Sequence, residues 1–429
     1  MAKLKYFLST FLLTVIYQLG NAQRFPAPEF ESGHIPPKTQ TIAPRGLGWE
    51  YLDVVVLFLA LSIMTWFVLK KRSRKGIFWT SIFSILYFGI IRVGCVCSVG
   101  SIGNVTLSLF QADYVIPVTV IAFFIIPLIF TLLFGRTFCA GVCFMGAVQD
   151  LVNIKPVSLP SWVSKPLSAI PYIYLILALL LAASGADFII CRYDPFIGFF
   201  RMNAPFGMLV FGAAILILGI FVGRPYCRFL CPYGVLLSWM SKISFWHTTI
   251  TPSACIQCKL CDNSCPVDAI NKPVNMNTET DGKGRNRLIS LFILLPVFIF
   301  LGGFLSSLLY KPLSTIHPTV KLAEEIKWET ENNKKTESEE SKTFHASGIQ
   351  AEQLFSDAGR VQTIFYAGTW LGGSLLGLFF GISLLKTSVV RRQTDYEPNR
   401  GNCVSCGKCY KYCPVQKQIA EAIPGAGGA

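Results

Sequence analysis

A chain of 429 residues with 52% hydrophobic and only 14% charged residues is too apolar for a water-soluble multidomain protein. Its formal charge of +14 does not mark a nucleic-acid binder, because the basic residues gather at the ends of apolar runs instead of forming a recognition face. What remains is a membrane protein of the all-α class.

The chain opens as a secretory signal. Lys3 and Lys5 form a basic front, Phe7 to Ile16 an apolar core, and Gly20-Asn21-Ala22 a small-residue exit, so residues 1–22 are read as a signal peptide. Residues 23–50, polar and rich in proline, follow as an extracytoplasmic lead. Seven apolar runs then approach the length of about 20 residues that a span needs. They lie near 51–69, 77–96, 115–134, 167–183, 206–222, 288–308 and 363–385, which gives about seven transmembrane helices. With the mature N-terminus outside, alternation delivers Lys70-Lys71-Arg72-Ser73-Arg74-Lys75, Arg136, Lys155, Arg224, Lys242 and Arg391 to the cytoplasm. The positive-inside rule expects that arrangement.

Within residues 51–245, the membrane core, a motif occurs twice. Gly135-Arg136-Thr137-Phe138-Cys139-Ala140-Gly141-Val142-Cys143-Phe144-Met145-Gly146 ends the third span, and Gly223-Arg224-Pro225-Tyr226-Cys227-Arg228-Phe229-Leu230-Cys231-Pro232-Tyr233-Gly234 ends the fifth. Cysteines four apart are expected on one helix face, about a turn apart. Cys139, Cys143, Cys227 and Cys231 could thus converge at the membrane edge on an iron–sulfur centre or a tetrahedral metal. Arg136 and Arg224 would favour their thiolate forms. The plainer alternative is that these cysteines are small apolar residues at helix ends. Cys95, Cys97 and Cys191 fall on the outer side, where they form either a disulfide or an outer metal site.

Residues 246–287 carry Cys255-Ile256-Gln257-Cys258-Lys259-Leu260-Cys261-Asp262-Asn263-Ser264-Cys265-Pro266, and residues 387–429 carry Cys403-Val404-Ser405-Cys406-Gly407-Lys408-Cys409-Tyr410-Lys411-Tyr412-Cys413-Pro414. Both match the C-x2-C-x2-C-x3-C-P run of bacterial ferredoxins, in which the fourth cysteine serves the other cluster. Cys255, Cys258, Cys261 and Cys413 are therefore expected to hold one 4Fe-4S cluster, and Cys403, Cys406, Cys409 and Cys265 a second. The two halves are separated by a transmembrane helix at 288–309, an extracytoplasmic loop at 310–361 and a second transmembrane helix at 362–386. Both halves land on the cytoplasmic side. The flanks of the loop, 320–328 and 349–355, are expected to be amphipathic helices lying on the outer membrane surface. The four histidines, His34, His247, His317 and His345, offer no C-x-x-C-H motif and no facing pair for a haem. No nucleotide-binding motif is present.

On residues 135–146, 223–234 and 255–266 the chain resembles the NosR/NapH group of membrane polyferredoxins, which serve nitrous-oxide and periplasmic nitrate respiration. That resemblance implies a multi-pass protein of the bacterial inner membrane that transfers electrons through iron–sulfur centres without a catalytic side chain. It also implies a donor in the quinone pool, as in a quinol dehydrogenase, or in the cytoplasm, and delivery towards a periplasmic reductase or its maturation. Three features depart from the group. No periplasmic flavin domain is visible, so a flavin step would need a separate partner. Phe144 stands where the pattern has proline, and the ferredoxin is split. A second reading is a copper-handling assembly factor for a metalloenzyme, with Cys95 and Cys97 as soft ligands for Cu(I).

Overall fold

The computed structural model describes residues 47–94, 97–111, 114–154, 156–201, 205–250, 255–273, 282–332, 338–348, 350–388 and 395–415. The signal peptide, nearly all of the lead, Cys95, Lys155, Arg391 and His34 lie outside them. The fold is helical, as the composition requires. Helix α1 (Leu47–Thr65) continues as a π-helical turn to Lys70, and α2 (Arg74–Ser84) continues as π-helix over Ile85–Ile91. Ser73 caps α2, its hydroxyl accepting the Gly76 N–H. Next come α3 (Ser101–Phe110), α4 (Val118–Phe134), α5 (Phe144–Val152), α6 (Ile170–Ser184), α7 (Phe206–Phe221), α8 (Pro225–Phe229) and α9 (Pro232–Lys242).

Each of the seven apolar runs forms helix. Four segments are long and apolar enough to cross a membrane: Gly48–Lys70, Trp162–Ser184, Arg285–Ser307 and Ala351–Lys386. Ser101–Phe110, Val118–Phe134 and Phe206–Phe221 are shorter apolar helices. Alternation of exposed and buried positions shows which face each helix turns inward. In α1, Leu57, Leu61 and Met64 are buried, whereas Val55, Phe58, Leu59 and Ile63 face outward, as side chains of a lipid-facing surface would.

The remaining elements build the ferredoxin and its hairpin: α10 (Leu260–Ser264), β1 (Ile270–Asn271), α11 (Gly282–Ser307), α12 (Pro318–Asn332), α13 (Glu339–Ser347), α14 (Ala351–Ser388), β2 (Glu397–Pro398) and α15 (Lys408–Tyr412). Strands β1 and β2 pair antiparallel, Ile270 opposite Pro398 and Asn271 opposite Glu397, which closes the two ferredoxin halves into one body. They can meet because α11 and α14 touch backbone to backbone. Gly302 abuts the Gly373 carbonyl and Gly377 the Phe298 carbonyl, positions where a side chain has no room. The Ser306 hydroxyl donates to the Thr369 carbonyl across the same seam.

The ferredoxin occupies one end of the helical core, the ferredoxin face, and the α12–α13 unit the opposite end, the distal face. On the distal face the structure corrects one expectation. The first flank forms a helix of its own, α12, but turns its apolar face inward, and the second flank is not a separate helix. Residues 351–355 begin α14, whose 38 residues extend about 57 Å, well beyond about 30 Å of hydrocarbon. Val320, Ala323 and Ile326 of α12 are buried with Phe344, Leu354 and Ala358 in a small core of their own. The apolar face read as membrane-seeking is consumed by packing against α13 and α14. Glu329 within this unit accepts from Ser341 Oγ at 2.6 Å and meets His345 Nε2 at 2.9 Å.

Candidate iron-sulfur site

The two ferredoxin loops share a backbone. Gln257 and Lys259 have φ of 52° and 63°, and their counterparts Ser405 and Gly407 have 53° and 72°. Two left-handed residues between successive cysteines curl each loop about one centre, and only at Gly407 does the residue type make this conformation free of cost. Cys265, Cys403, Cys406 and Cys409 line one partly open cavity with Pro266, Val404 and Ile270. The fourth cysteine of the first run therefore stands with the first three of the second. Cys255 and Cys413 pack against buried Cys261 beside Ile250, Ile270 and Tyr396, while Cys258 is exposed. Burial pushes the Cys403 thiol up to about 12 and that of Cys265 to about 11, so both are neutral thiols at neutral pH until a metal displaces the proton.

The C-x3-C segments of the membrane core do not place both cysteines on one helical face, contrary to expectation. Cys139 lies in a π-helical turn (Phe138–Val142), which breaks at Gly141, and Cys143 caps α5 in extended backbone. Cys227 lies in α8 and Cys231 caps α9. Pro232 at the first position of α9 pushes Cys231 out of helical conformation. In the first copy the break occurs without proline. The two capping cysteines match closely: φ −67°, ψ 113° at Cys143 and φ −66°, ψ 112° at Cys231. The last cysteines of the ferredoxin runs adopt the same shape, φ −77°, ψ 112° at Cys265 and φ −73°, ψ 116° at Cys413. Four short helical turns, each bearing one cysteine and followed by another in extended backbone, thus recur in two parts of the molecule. Backbone amides of Gly146, Gly234 and Ala269 donate to Cys143, Cys231 and Cys265. Such N–H···S bonds stabilise thiolate ligands.

The two core turns embrace across a pseudo-twofold relation. A side chain at Gly146 would meet the Cys139 carbonyl at 3.4 Å and Cys227 Sγ at 3.6 Å. One at Gly234 would meet the Cys227 carbonyl and Arg136, both at 3.4 Å. Arg136 donates to Cys139 Sγ at 3.7 Å, and Gln149 Nε2 to Cys227 Sγ at 3.3 Å. Fully buried Arg224 donates to the Cys139 and Ala140 carbonyls and pairs with Asp150 at 3.4 Å. Among the described residues, no three His, Cys, Asp or Glu side chains stand close enough to share one metal ion.

Comparison with known proteins follows the same division. A 4Fe-4S binding domain model matches twice, at residues 116–165 and 204–248, one match for each core turn. A second 4Fe-4S binding domain model matches residues 248–271. The chain is 27% identical to Protein NirI of Paracoccus denitrificans (strain Pd 1222) over 52% of its length and 34% of that protein. It is 30% identical to Regulatory protein NosR of Pseudomonas aeruginosa over 33% of its length and 21% of that protein. With YccM of Escherichia coli (strain K12) it shares 27% identity over 32% of its length and 43% of that protein. It therefore spans less than half of each of these three relatives. No solved structure matches it. By these matches the chain is similar to the NosR/NapH-like polyferredoxins.

In this chain the sequence reading missed the polar residues that surround the core turns. Asp150 and Gln149 carry no motif, and Arg74 and Lys408 stand in the sequence only as part of the basic cluster and of the second ferredoxin run. The one available signal was an amide and an acid, six and seven residues after Cys143 respectively, inside an apolar helix. The reading also missed that Cys227-x3-Cys231-Pro232 repeats the closing spacing of each ferredoxin run. Cys97 was expected apart from Cys143. The structure instead lines one cavity with both, together with Leu57, Phe88 and Phe138. Cys191 Sγ would lie 3.0 Å from a side chain at Gly100, whose amide donates to Cys97 Sγ at 3.5 Å.

Proposed function

We propose that this chain is a membrane electron carrier with three iron–sulfur centres. Cys255, Cys258, Cys261 and Cys413 would hold one 4Fe-4S cluster, Cys265, Cys403, Cys406 and Cys409 a second, and Cys139, Cys143, Cys227 and Cys231 a third. The observation that carries the third centre is the shared backbone of the closing cysteines, together with the match of each core turn to a 4Fe-4S binding domain. The donor set fits such a group. Gly146 bridges the two turns beside Cys227 Sγ, the amides of Gly146 and Gly234 donate to Cys143 and Cys231, and the buried Nε atoms of Arg136 and Arg224 have no hydrogen-bond partner in the protein. A bound cluster supplies reversible one-electron transfer. The chain's own residues hold the sulfurs at fixed separation, exclude water, and set potential through amide donors and the charges of Arg136 and Arg224.

The ferredoxin face is assigned to the cytoplasm and the distal face to the periplasm, because the basic ends of the spans lie with the ferredoxin. Electrons would come from quinol or a cytoplasmic donor. They would leave towards a periplasmic reductase system, such as that for nitrous oxide, or towards its maturation. Iron and acid-labile sulfide per chain, measured on anaerobically purified protein, test the reading. About twelve of each are expected, falling by about four in Cys139→Ser and in Cys227→Ser. Eight of each, unaffected by either change, would exclude the third centre.

The proximity of Cys97 and Cys191 across Gly100 supports a second reading, a soft Cu(I) site in an assembly factor. Copper bound to the wild type and lost in Cys97→Ser, with iron unchanged, is the result it requires.

A further inference from the structure

An unbroken run of charged contacts joins the ferredoxin to the core turns. Arg74 donates to the Cys406 carbonyl at 2.7 Å and to the Asp150 carboxylate. Asp150 pairs with Arg224 at 3.4 Å, and Arg224 donates to the Cys139 carbonyl. Each end of the run is thus the backbone of a cysteine assigned to a different centre. A parallel connection runs through Arg136, which donates to the Gly401 carbonyl at 3.1 Å and to Cys139 Sγ at 3.7 Å. Lys408 Nζ adds a fourth cation, 3.8 Å from the same Asp150 and 3.0 Å from Asn153 Oδ1.

Three of these cations, Arg74, Arg224 and Lys408, therefore share one carboxylate in a region where Arg224 is 0% and Asp150 8% exposed. Unbalanced charge is costly to bury. The arrangement is compensated when anionic centres lie on both sides of it. Hydrogen bonds to the two carbonyls also fix the separation of the cysteine-bearing turns and provide a bonded route between them, where a gap would leave only space.

We propose that Arg74, Asp150 and Arg224 are positioning residues that couple the ferredoxin centre at Cys265, Cys403, Cys406 and Cys409 to the centre at Cys139, Cys143, Cys227 and Cys231. This rests on the reading that both sets hold clusters. Transfer across the bridge oxidises one centre by one electron and reduces the other by one, with no bond made and no proton moved. The bridge also sets the relative potentials, because Asp150 stabilises the oxidised forms of both centres and the cations stabilise the reduced forms.

The test uses the full chain in detergent, comparing wild type with Asp150→Asn, Arg74→Gln and Arg224→Gln. Iron and sulfide content, redox titration followed by electron paramagnetic resonance, and the intercluster transfer rate are read together. Full cluster content is expected in all four proteins. The core-centre potential should rise in D150N and fall in R224Q, and transfer should slow at least tenfold in R74Q and R224Q. Opposite shifts from neighbouring substitutions are a charge signature that a merely structural role does not produce. Full iron content with unmoved potentials and an unchanged rate would overturn the bridge alone. A wild type with only eight irons would overturn the three-centre reading and the bridge with it. Should R224Q fail to retain iron, R74Q and D150N decide the matter, since Arg74 lies at the edge of the network.

Discussion

A methyl group added at Gly223 would collide with the carbonyl of Pro266, the residue that follows the last cysteine of the first ferredoxin run. No flexible side chain is there to yield, so backbone must move. Gly223→Ala is therefore expected to push the ferredoxin away from the second core turn, at a cost of about 1–3 kcal/mol. It should lower iron retention at the cluster served by Cys265. Gly359→Ala is the control, because nothing stands within 4 Å of that position. Iron per chain after gel filtration, with thermal melting, separates the two; equal values would show that Gly223 is not a docking point. At this scale the sequence was uneven. The ferredoxin cysteines were legible because spacing alone specifies which sulfurs share a cube. Asp150 and Gln149 were not, since their importance comes from residues 74, 224 and 227, which only the fold brings near them.

Two helices decide whether the ferredoxin exists. Helix α11 departs from the first half and α14 returns to the second, and the seam between them depends on Gly302, Gly373 and Gly377. Gly377→Leu should force the helices apart, because in lipid small residues are what permit backbone contact. Both ferredoxin clusters are then expected to go together, since each draws cysteines from both halves, whereas the core centre should stay. Iron would fall by about eight per chain. Loss of only one cluster would contradict the crossed pairing of Cys265 and Cys413. Changes in the distal unit should act differently. Glu329→Ala leaves Ser341 and His345 without their buried acceptor, at a cost of about 1–3 kcal/mol. It is expected to increase hydrogen exchange over 339–347 with iron unchanged. The elements themselves were largely readable, because apolar runs of span length leave helix as the economical outcome. The path of the core turns was not. A spacing of four residues suggests one helix face, and the extended backbone at Cys143 arises without the proline that would have signalled it.

Across the molecule, the issue is how far electrons travel in any one step. Cys143 shares a cavity with Leu57, which lies 13 residues before Lys70 on a continuous helical segment, or about 20 Å from the ferredoxin face. Against about 30 Å of hydrocarbon, that leaves roughly 10 Å to the distal side. With Lys70 taken as the ferredoxin-side boundary of a bilayer, the core turns would stand inside it, enclosed by the helical core. Irregular backbone at that depth is tolerated because protein surrounds it. Cys97 approaches the same cavity from the distal side and stands beside Cys191, so cysteines extend from Cys406 towards the far face with Arg224 and the core turns between them. Lipid bilayer alone could not be crossed in one step from the ferredoxin. Vesicles carrying the protein in a single orientation make the consequence measurable. With a membrane-impermeant reductant at the ferredoxin face and an impermeant acceptor at the distal face, the wild type should pass electrons. Cys143→Ser should abolish that passage while both ferredoxin clusters remain reducible from their own side. Retention of transmembrane transfer in Cys143→Ser would mean that a mobile quinone, and not this line of cysteines, carries the charge across.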